Sequence, residues 1–313
     1  MTCPVNHSAI APMPIGESDT IADRFVEVGG SIFIAAFAAA LFDQAMLPEV
    51  SEALEVTGRI RDTPWQRALR SAASDQAVFH GTESDRLAEM ERLKLLHRDV
   101  RGVGANGIRY SALNPESWNW ILISTFFMYR GAFATLTGTE LTPADDQALW
   151  DRWRAETDGL QLPGRSRLMA SYADLCAHYD RMATQRLART STLESAAETV
   201  RRPPRPPFLP AIAHPLWLLA RPAAGHIGAV LGYGIMHPAA RQHLPMRWTR
   251  RHELEFAVLA TGLRLAYRAL PTRLTDSPLA RNRREYHRLM NAYRGIGLDS
   301  FAPDRTTPLT MAD

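Results

Sequence analysis

Residues 62–101, DTPWQRALRSAASDQAVFHGTESDRLAEMERLKLLHRDVR, contain the signals of two successive helices. The first begins at an N-cap, Asp62 or Thr63, with Pro64 at the first helical position, and it ends at Gly81. Thr82-Glu83-Ser84-Asp85 then opens a second helix, which we expect to run to about Arg101. The stretch therefore predicts a pair of helices separated by one glycine.

The same capping pattern recurs along the chain. Asn114-Pro115-Glu116 precedes a predicted helix over Trp118–Gly131, and Thr142–Asp145 precedes a helix with Trp150 and Trp153. Further helices are expected from Arg165 to about Arg189 and over about Thr249–Ala269, the latter ended by Pro271. Because alternating strand patterns bounded by hairpin dipeptides are missing, we predict an all-α fold.

The proline-dense stretch Arg201–Pro210, RRPPRPPFLP, predicts a linker, because it cannot lie inside a helix. Beyond it, Trp217–Leu219 is followed by a predicted glycine-containing loop. We expect a flexible N-terminal segment (1–18), a helical core (19–200), the proline-rich connection (201–216), C-terminal helices packing on the core (217–299) and a tail (300–313).

Composition excludes several classes of protein. Hydrophobic residues make up 46% of the 313 residues, enough for a sizeable core. The net charge is only +3, and the arginines are scattered, so we expect a solvated surface rather than nucleic-acid binding. Cys3 and Cys176 have no partner motif, which excludes a disulfide scaffold and fits a reducing, cytoplasmic compartment. The N-terminus lacks the charged and apolar regions of a signal peptide.

The most apolar run is Ser31–Phe42, SIFIAAFAAALF. As an α-helix it would cover roughly 18 Å, which is too short for the ~30 Å hydrocarbon core of a bilayer. We expect a buried core helix and no transmembrane span, with a helix lying on a membrane surface as the alternative.

Familiar catalytic motifs are absent from the sequence. The ten histidines form neither HExxH nor HxH, so a zinc or di-iron site is not indicated. Residues 102–107, GVGANG, have the GxGxxG spacing, but they follow a predicted helix. A dinucleotide site needs a strand before the glycines and a helix after them, so we reject this interpretation.

His97 shares one face of its predicted helix, Arg86–Arg101, with Leu93, Leu96 and Val100, which places the imidazole toward the core. An apolar face with one histidine is how a haem protein presents an axial ligand to iron. On the pattern alone, the commoner alternative is a core histidine that bonds a backbone carbonyl.

Arg67 and Ser71 stand at i and i+4 on the preceding helix. An arginine beside a hydroxyl can donate hydrogen bonds to bound oxygen or to a developing anion. The alternative is an ordinary ion pair of Arg67 with Asp75 or Glu52.

The stretch Arg92–Ala112, RLKLLHRDVRGVGANGIRYSA, with the following residues 113–121, resembles the catalytic domain shared by rubber oxygenases (latex-clearing proteins) and the ER-bound oxygenase of mycophenolate biosynthesis. The shared pattern is a histidine, Arg-Gly, a glycine, Tyr-x-Ala, a proline-acid helix start and a tryptophan. Here these are His97, Arg101-Gly102, Gly107, Tyr110-Ser111-Ala112, Pro115-Glu116 and Trp120. Upstream, Arg67, Ser71 and Phe79–Gly81 also match, and the resemblance covers most of about residues 20–285.

The resemblance implies a globin-like helical core around haem b, with His97 as proximal ligand to the iron and Arg67 and Ser71 on the distal side. It implies an oxygenase that uses O2 on a small apolar organic substrate, in characterised branches an isoprenoid C=C bond. Two departures are Ser71, where the family usually has threonine, and Leu47-Pro48, where it commonly has His-Pro. Glu52 lies at a plausible separation from Arg67 for the glutamate base of the rubber enzymes.

Two other interpretations stay open. The first is a haem protein of another kind, such as a sensor, peroxidase or carrier, which needs the same His97. The second is a non-enzymatic helical binding protein whose arginines contact nucleic acid, which predicts no haem absorption and salt-dependent binding.

Overall fold

The computed structural model describes residues 20–58, 62–162 and 167–295, and helices dominate these ranges. The predictions for the segment 1–18, for the helix start at Arg165 and for the tail 300–313 lie outside them. In chain order the helices are α1 (Ile21–Gly29), the 3-10 helix η1 (Ile32–Leu41), α2 (Phe42–Ala45), α3 (Pro48–Thr57), α4 (Pro64–His80), α5 (Glu83–Arg98), α6 (Pro115–Thr137), α7 (Pro143–Glu156), the 3-10 turn η2 (Asp158–Leu160), α8 (Tyr172–Gln185), α9 (Ser191–Arg201), the 3-10 turn η3 (Ala211–Ala213), α10 (His214–Gly234), α11 (Pro238–Arg241), α12 (Arg250–Ala269), α13 (Thr272–Thr275) and α14 (Pro278–Gly295).

Helix α6 forms the centre of the core. It begins at Asn114, whose side chain accepts from the backbone N–H groups of Glu116 and Ser117, and it ends at Gly138, whose φ of 72° is the left-handed conformation that favours glycine. Its buried side chains pack with tryptophans of α7. Fully buried members of this core include Trp120, Phe126, Phe133, Trp150 and Trp153. Burial of each such aromatic side chain contributes about 1.5–3 kcal/mol, so α6 and α7 anchor the fold.

Two buried carboxylates join elements of this core. Asp146 on α7 forms a two-pronged ion pair with Arg130 on α6, at 2.7 Å and 2.8 Å. Asp43 on α2 accepts hydrogen bonds from Ser124 Oγ at 2.5 Å and from Tyr179 Oη at 2.6 Å. Buried charges need such partners, because leaving them unpaired is costly. Helices α2, α6, α7 and α8 are therefore tied together by polar as well as apolar contacts.

The apolar run 31–42 adopts a 3-10 helix rather than the predicted α-helix. Its buried positions recur every third residue, at Ser31, Ile34, Phe37 and Ala40, as expected for three residues per turn. Ala39 is buried as well, Phe33 and Ala36 pack partly against the core, and Ile32 is exposed. The expectation of a core element is therefore confirmed for most of this run. Among the described helices, none alone has the length and composition of a membrane span, whereas the bent pair Ile32–Ala45 and Pro48–Thr57 meets those criteria only when both halves are combined.

Two details of the predicted organisation are wrong. The helix at His97 ends at Arg98, because Arg101–Val103 (β1) pairs antiparallel with Arg109–Ser111 (β2). The small sheet makes the GxGxxG stretch the turn of a β-hairpin. The glycines after Trp217–Leu219 lie inside α10 rather than in a loop. One of them, Gly232, allows close packing, since a Cβ there would lie 2.6 Å from Ala39 Cβ of η1.

Candidate active site

Helices α4 and α5 form a helical hairpin with Gly81 at the turn. Their register brings Arg67, Ser71 and His97 to the end of the hairpin that lies away from this turn. Ser74 Oγ on α4 donates to Glu89 Oε1 on α5 at 2.5 Å. In an antiparallel helix pair, residues that are equally many positions away from such a bond lie at the same height along the two helices. Arg67 is seven residues before Ser74 and Leu96 is seven residues after Glu89, so Arg67 lies at the height of Leu96 and its neighbour His97. At 1.5 Å per residue, this level lies about 10 Å from the Ser74–Glu89 bond.

The His97 ring is held by two contacts. Its Nδ1 lies 2.7 Å from the carbonyl oxygen of Leu93, one turn earlier. A carbonyl only accepts, so Nδ1 carries a proton, and in the neutral tautomer with this bond the lone pair is on Nε2. The ring also meets Trp118 edge to face, with centroids 5.4 Å apart, and Trp118 Nε1 donates to Leu160 O at 2.7 Å. Within the described part of the chain, no hydrogen-bond partner reaches Nε2.

The surroundings of His97 are more open than the sequence predicted. Its helix face was expected to point into the core, but His97, Leu93 and Val100 are only half-buried, and Leu96 is 53% exposed. Leu93 packs against the core and the His97 ring contacts the buried Trp118, so this face is turned toward the core but is only partly covered. The contact of Nδ1 with a backbone carbonyl also fits the alternative of a histidine that bonds a backbone carbonyl without binding a ligand.

The first half of α4 is similarly uncovered. Arg67 is half-buried, Ser71 is exposed, and the small or apolar residues between and beside them, Ala68, Leu69 and Ala72, are exposed as well. Leu96 of α5 is an uncovered apolar side chain at this end of the hairpin, whereas Leu69 lies on the α4 face opposite Arg67 and Ser71. Such surface at a site with a free imidazole nitrogen is suited to an apolar ligand.

Asp75 continues the helix face of Arg67 and Ser71, one further turn along α4. Its carboxylate accepts a hydrogen bond from Tyr129 Oη on α6 at 3.1 Å. Desolvation raises the pKa of Asp75 to about 7, and the bond from Tyr129 opposes that rise. This titratable group was not identified as a site residue from the sequence, where the only signal was its i+4 spacing from Ser71.

Glu52, on α3, is tied to the β-hairpin. Its Oε1 accepts from Asn106 Nδ2 at 2.6 Å. Gly104 permits this approach, because a Cβ there would overlap the Glu52 carboxylate. Gly104 therefore has a packing role beside Glu52, whereas Gly102 faces Tyr110 and Gly107 has a left-handed φ of 82°. The family's His-Pro position is taken by Leu47, which is fully buried at the start of α3 and offers no ligand atom.

His80, the other histidine of the hairpin, is poorly placed to bind a large cofactor. It is buried, and its Nε2 has no hydrogen-bond partner. Burial, together with Arg284 and Arg283, lowers its pKa to about 4, so the ring is neutral. The backbone of Gly30 closes it off, since a Cβ on Gly30 would lie 2.8 Å from Nε2. A planar macrocycle has no room there.

The chemistry of the donors fits haem at His97. In the described ranges, no group of three or more His, Cys, Asp or Glu side chains is placed to hold a metal ion. Haem does not need one, because the porphyrin supplies four nitrogens and the protein adds a single axial ligand. A histidine with Nδ1 bonded to a carbonyl and a free Nε2 is the arrangement found in metal-binding imidazoles.

A cavity of about 580 Å³ lies elsewhere, lined by residues that include Arg241, Leu244 and Trp248. Arg241 pairs with Glu253 at 3.4 Å and lies over the Trp248 ring at 4.9 Å. None of the lining residues belongs to α4 or α5, so the cavity is separate from the candidate site.

Comparison with known families gives a match over residues 24–265 to the family described as "ER-bound oxygenase mpaB/B'/Rubber oxygenase, catalytic domain". The chain belongs to this family. The match includes α4, α5, the β-hairpin and α6, and hence Arg67, Ser71 and His97. Membership makes the protein an oxygenase, an oxidoreductase that acts on an organic substrate.

The relatives found are distant. Two uncharacterised proteins, Mb2261 of Mycobacterium bovis and Rv2237 of Mycobacterium tuberculosis, are each 23% identical over 241 residues. The alignment covers 69% of this chain and 80% of each relative. No solved structure matches the chain.

Proposed function

We propose that the protein is a haem-b-dependent oxygenase that uses O2 on a small apolar organic substrate, with an isoprenoid-type C=C bond as the expected target. The observation that carries the proposal is the free Nε2 of His97 on a ring fixed through Nδ1 and Trp118, in an oxygenase family. The expected cytoplasmic location belongs to the same proposal.

His97 would hold the haem through Nε2. The proton on Nδ1 is committed to the Leu93 carbonyl, which fixes the tautomer and makes Nε2 the better donor of electrons. The edge-to-face contact with Trp118 limits rotation of the ring. When bound, haem b supplies the redox chemistry that activates dioxygen.

Arg67 and Ser71 would act on the distal side. Their N–H and O–H groups can donate to oxygen atoms that gain negative charge as the substrate is attacked. Cleavage of one C=C bond by one O2 places one oxygen atom on each carbonyl product, so atoms and electrons balance without an external reductant. The uncovered Leu96, next to His97 on α5, would contact an apolar substrate. Glu52 stays a candidate base, held by Asn106.

The alternative that keeps the same residues is a haem protein without oxygenase activity, such as a sensor, peroxidase or carrier. It shares the haem at His97 and differs only in the absence of alkene-dependent oxygen consumption. A non-enzymatic binding protein is disfavoured by the family. The two remaining proposals, haem binding and oxygenase chemistry, can be tested separately.

For haem binding, the measurement is the absorption spectrum with a pyridine haemochrome assay after reconstitution. We expect near-stoichiometric haem b in the wild type and its loss in His97→Ala, because no other imidazole in the described part of the chain stands at an equivalent place. His178→Ala is the matched control, since His178 is also a half-buried histidine on a helix, α8, and it should keep its haem. A wild type that stays colourless after reconstitution refutes the proposal.

For the distal role, oxygen consumption is measured with an isoprenoid alkene. Arg67→Ala should retain haem and lose most turnover, by on the order of a hundredfold or more if it stabilises developing charge. The control is Arg181→Ala, which removes an exposed arginine from α8. If Arg67→Ala is fully active, the distal assignment is wrong. If the wild type binds haem but consumes no oxygen with any alkene, the non-oxygenase alternative is correct.

A further inference from the structure

Large apolar side chains form a continuous exposed row at the start of α10. Ile212 is 90% exposed, Leu216 69% and Leu219 81%, and Phe208 just before them is 74% exposed. Positions 212, 216 and 219 follow the i, i+4, i+7 spacing, so they share one helix face, and Ala223 and Ile227 extend it. Single exposed leucines are ordinary, whereas a contiguous row marks an interaction surface. We call Phe208, Ile212, Leu216 and Leu219 the apolar ridge.

The ridge is held firmly by contacts on its other side. Trp217 Nε1 donates to Pro203 O at 3.1 Å, and Gly225 further along the helix is buried. Trp65 Nε1 donates to Pro204 O at 2.8 Å, and the Trp65 ring meets that of Phe208 at 6.4 Å. The ridge therefore belongs to the folded body, and it reaches the first turn of α4, two residues before Arg67.

The sequence around the ridge is strongly basic. Residues 199–221, which contain the ridge, have four arginines and no aspartate or glutamate. Among them, Arg201 and Arg202 pair with Glu198, yet both side chains stay more than 60% exposed. Arg205 lies three residues before Phe208, and Arg221 two residues after Leu219. This surface complements a negatively charged partner with an apolar interior.

We propose that the apolar ridge docks on a lipid bilayer that carries anionic head groups. Exposed leucine, isoleucine and phenylalanine side chains flanked by arginines are the composition of helices that lie in the membrane interface, with apolar groups inserted about 5–10 Å. A nucleic acid could bind the arginines through its phosphates, but the apolar side chains of the ridge would stay exposed to water. The inference does not depend on haem or on oxygenase activity, although docking would place α4 beside an apolar substrate dissolved in the bilayer.

The test is flotation of the full-length protein with vesicles of phosphatidylcholine alone or mixed with phosphatidylglycerol. We expect binding to the mixed vesicles that weakens with added salt. Ile212→Ser/Leu219→Ser should lower the partition coefficient by at least about tenfold, because inserted apolar carbons are lost. Arg201→Gln/Arg202→Gln should lower binding to the mixed vesicles alone. The matched control, Leu265→Ser/Leu274→Ser, removes two leucines that are 53% and 58% exposed outside the ridge and should bind as the wild type does.

Circular dichroism is used to check that each variant is folded, so that a loss of vesicle binding can be assigned to the changed surface residues. The proposal is wrong if the wild type ignores anionic vesicles, or if the ridge variant binds as tightly as the control variant. Sedimentation velocity tests the alternative that a second copy of the chain covers the ridge. A wild-type dimer that becomes monomeric in the ridge variant, without vesicle binding, would make the ridge an interface between two copies of the chain.

Discussion

Asp43→Asn should change how the stability of the protein depends on pH. Asp43 is buried on α2, and its two carboxylate oxygens accept from Ser124 Oγ and Tyr179 Oη. Desolvation raises its pKa from the ordinary 3.8 to about 6, against the opposing effect of these hydrogen bonds. The folded state therefore favours the protonated acid, which asparagine mimics.

The size of the effect follows from linkage. At 1.36 kcal/mol per pKa unit, a rise from 3.8 to about 6 corresponds to about 3 kcal/mol. Because the folded pKa is above the unfolded one, this stabilisation is fully present below about pH 4 and is lost as pH rises through 6. The free energy of unfolding of Asp43→Asn, minus that of the wild type, should therefore increase by up to about 3 kcal/mol across this range.

The assay is urea denaturation of both proteins at a series of pH values from 3.5 to 7.5. All other titrating groups are common to the two proteins, so they cancel in the difference. Ser124→Ala is the control, since it removes one hydrogen bond but keeps the carboxyl group, and its pH dependence should persist. If the difference between Asp43→Asn and the wild type is constant over this range, Asp43 titrates normally and the reasoning fails.

Two further predictions concern the packing of the core, and each compares a variant with a matched control by urea denaturation. Arg130→Met should cost about 3–5 kcal/mol, because it leaves the Asp146 carboxylate buried without its partner. Arg130→Met/Asp146→Leu should recover most of that loss, and a double variant as unstable as the single one contradicts this explanation. Gly232→Ala should cost about 1–3 kcal/mol through overlap with Ala39, whereas Gly228→Ala, with open space around it, should stabilise by about 0.5–1 kcal/mol. Equal effects of the two glycine substitutions would refute close packing of α10 on η1.

The helix starts could be predicted from the sequence because each depends on a few neighbouring residues. Thr82 and Asp85 satisfy each other's backbone groups at the start of α5, and Thr142 and Asp145 do the same for α7. Asn114 caps α6 in the same way. These signals act within three residues, so they are the same in any tertiary context, and the helical class and the family were identified correctly from them and from the motif around His97.

Tertiary structure decided the rest. The β-hairpin has strands of three residues, too short for an alternating pattern, and its pairing of Arg101 with Ser111 joins residues ten apart. The glycines of α10 look like a loop until Ala39 of a distant segment explains the close approach at Gly232. Periodicity placed His97 on a helix face. Only the folded chain decided that this face is half open and that Trp118 holds the ring, because burial depends on which elements pack there.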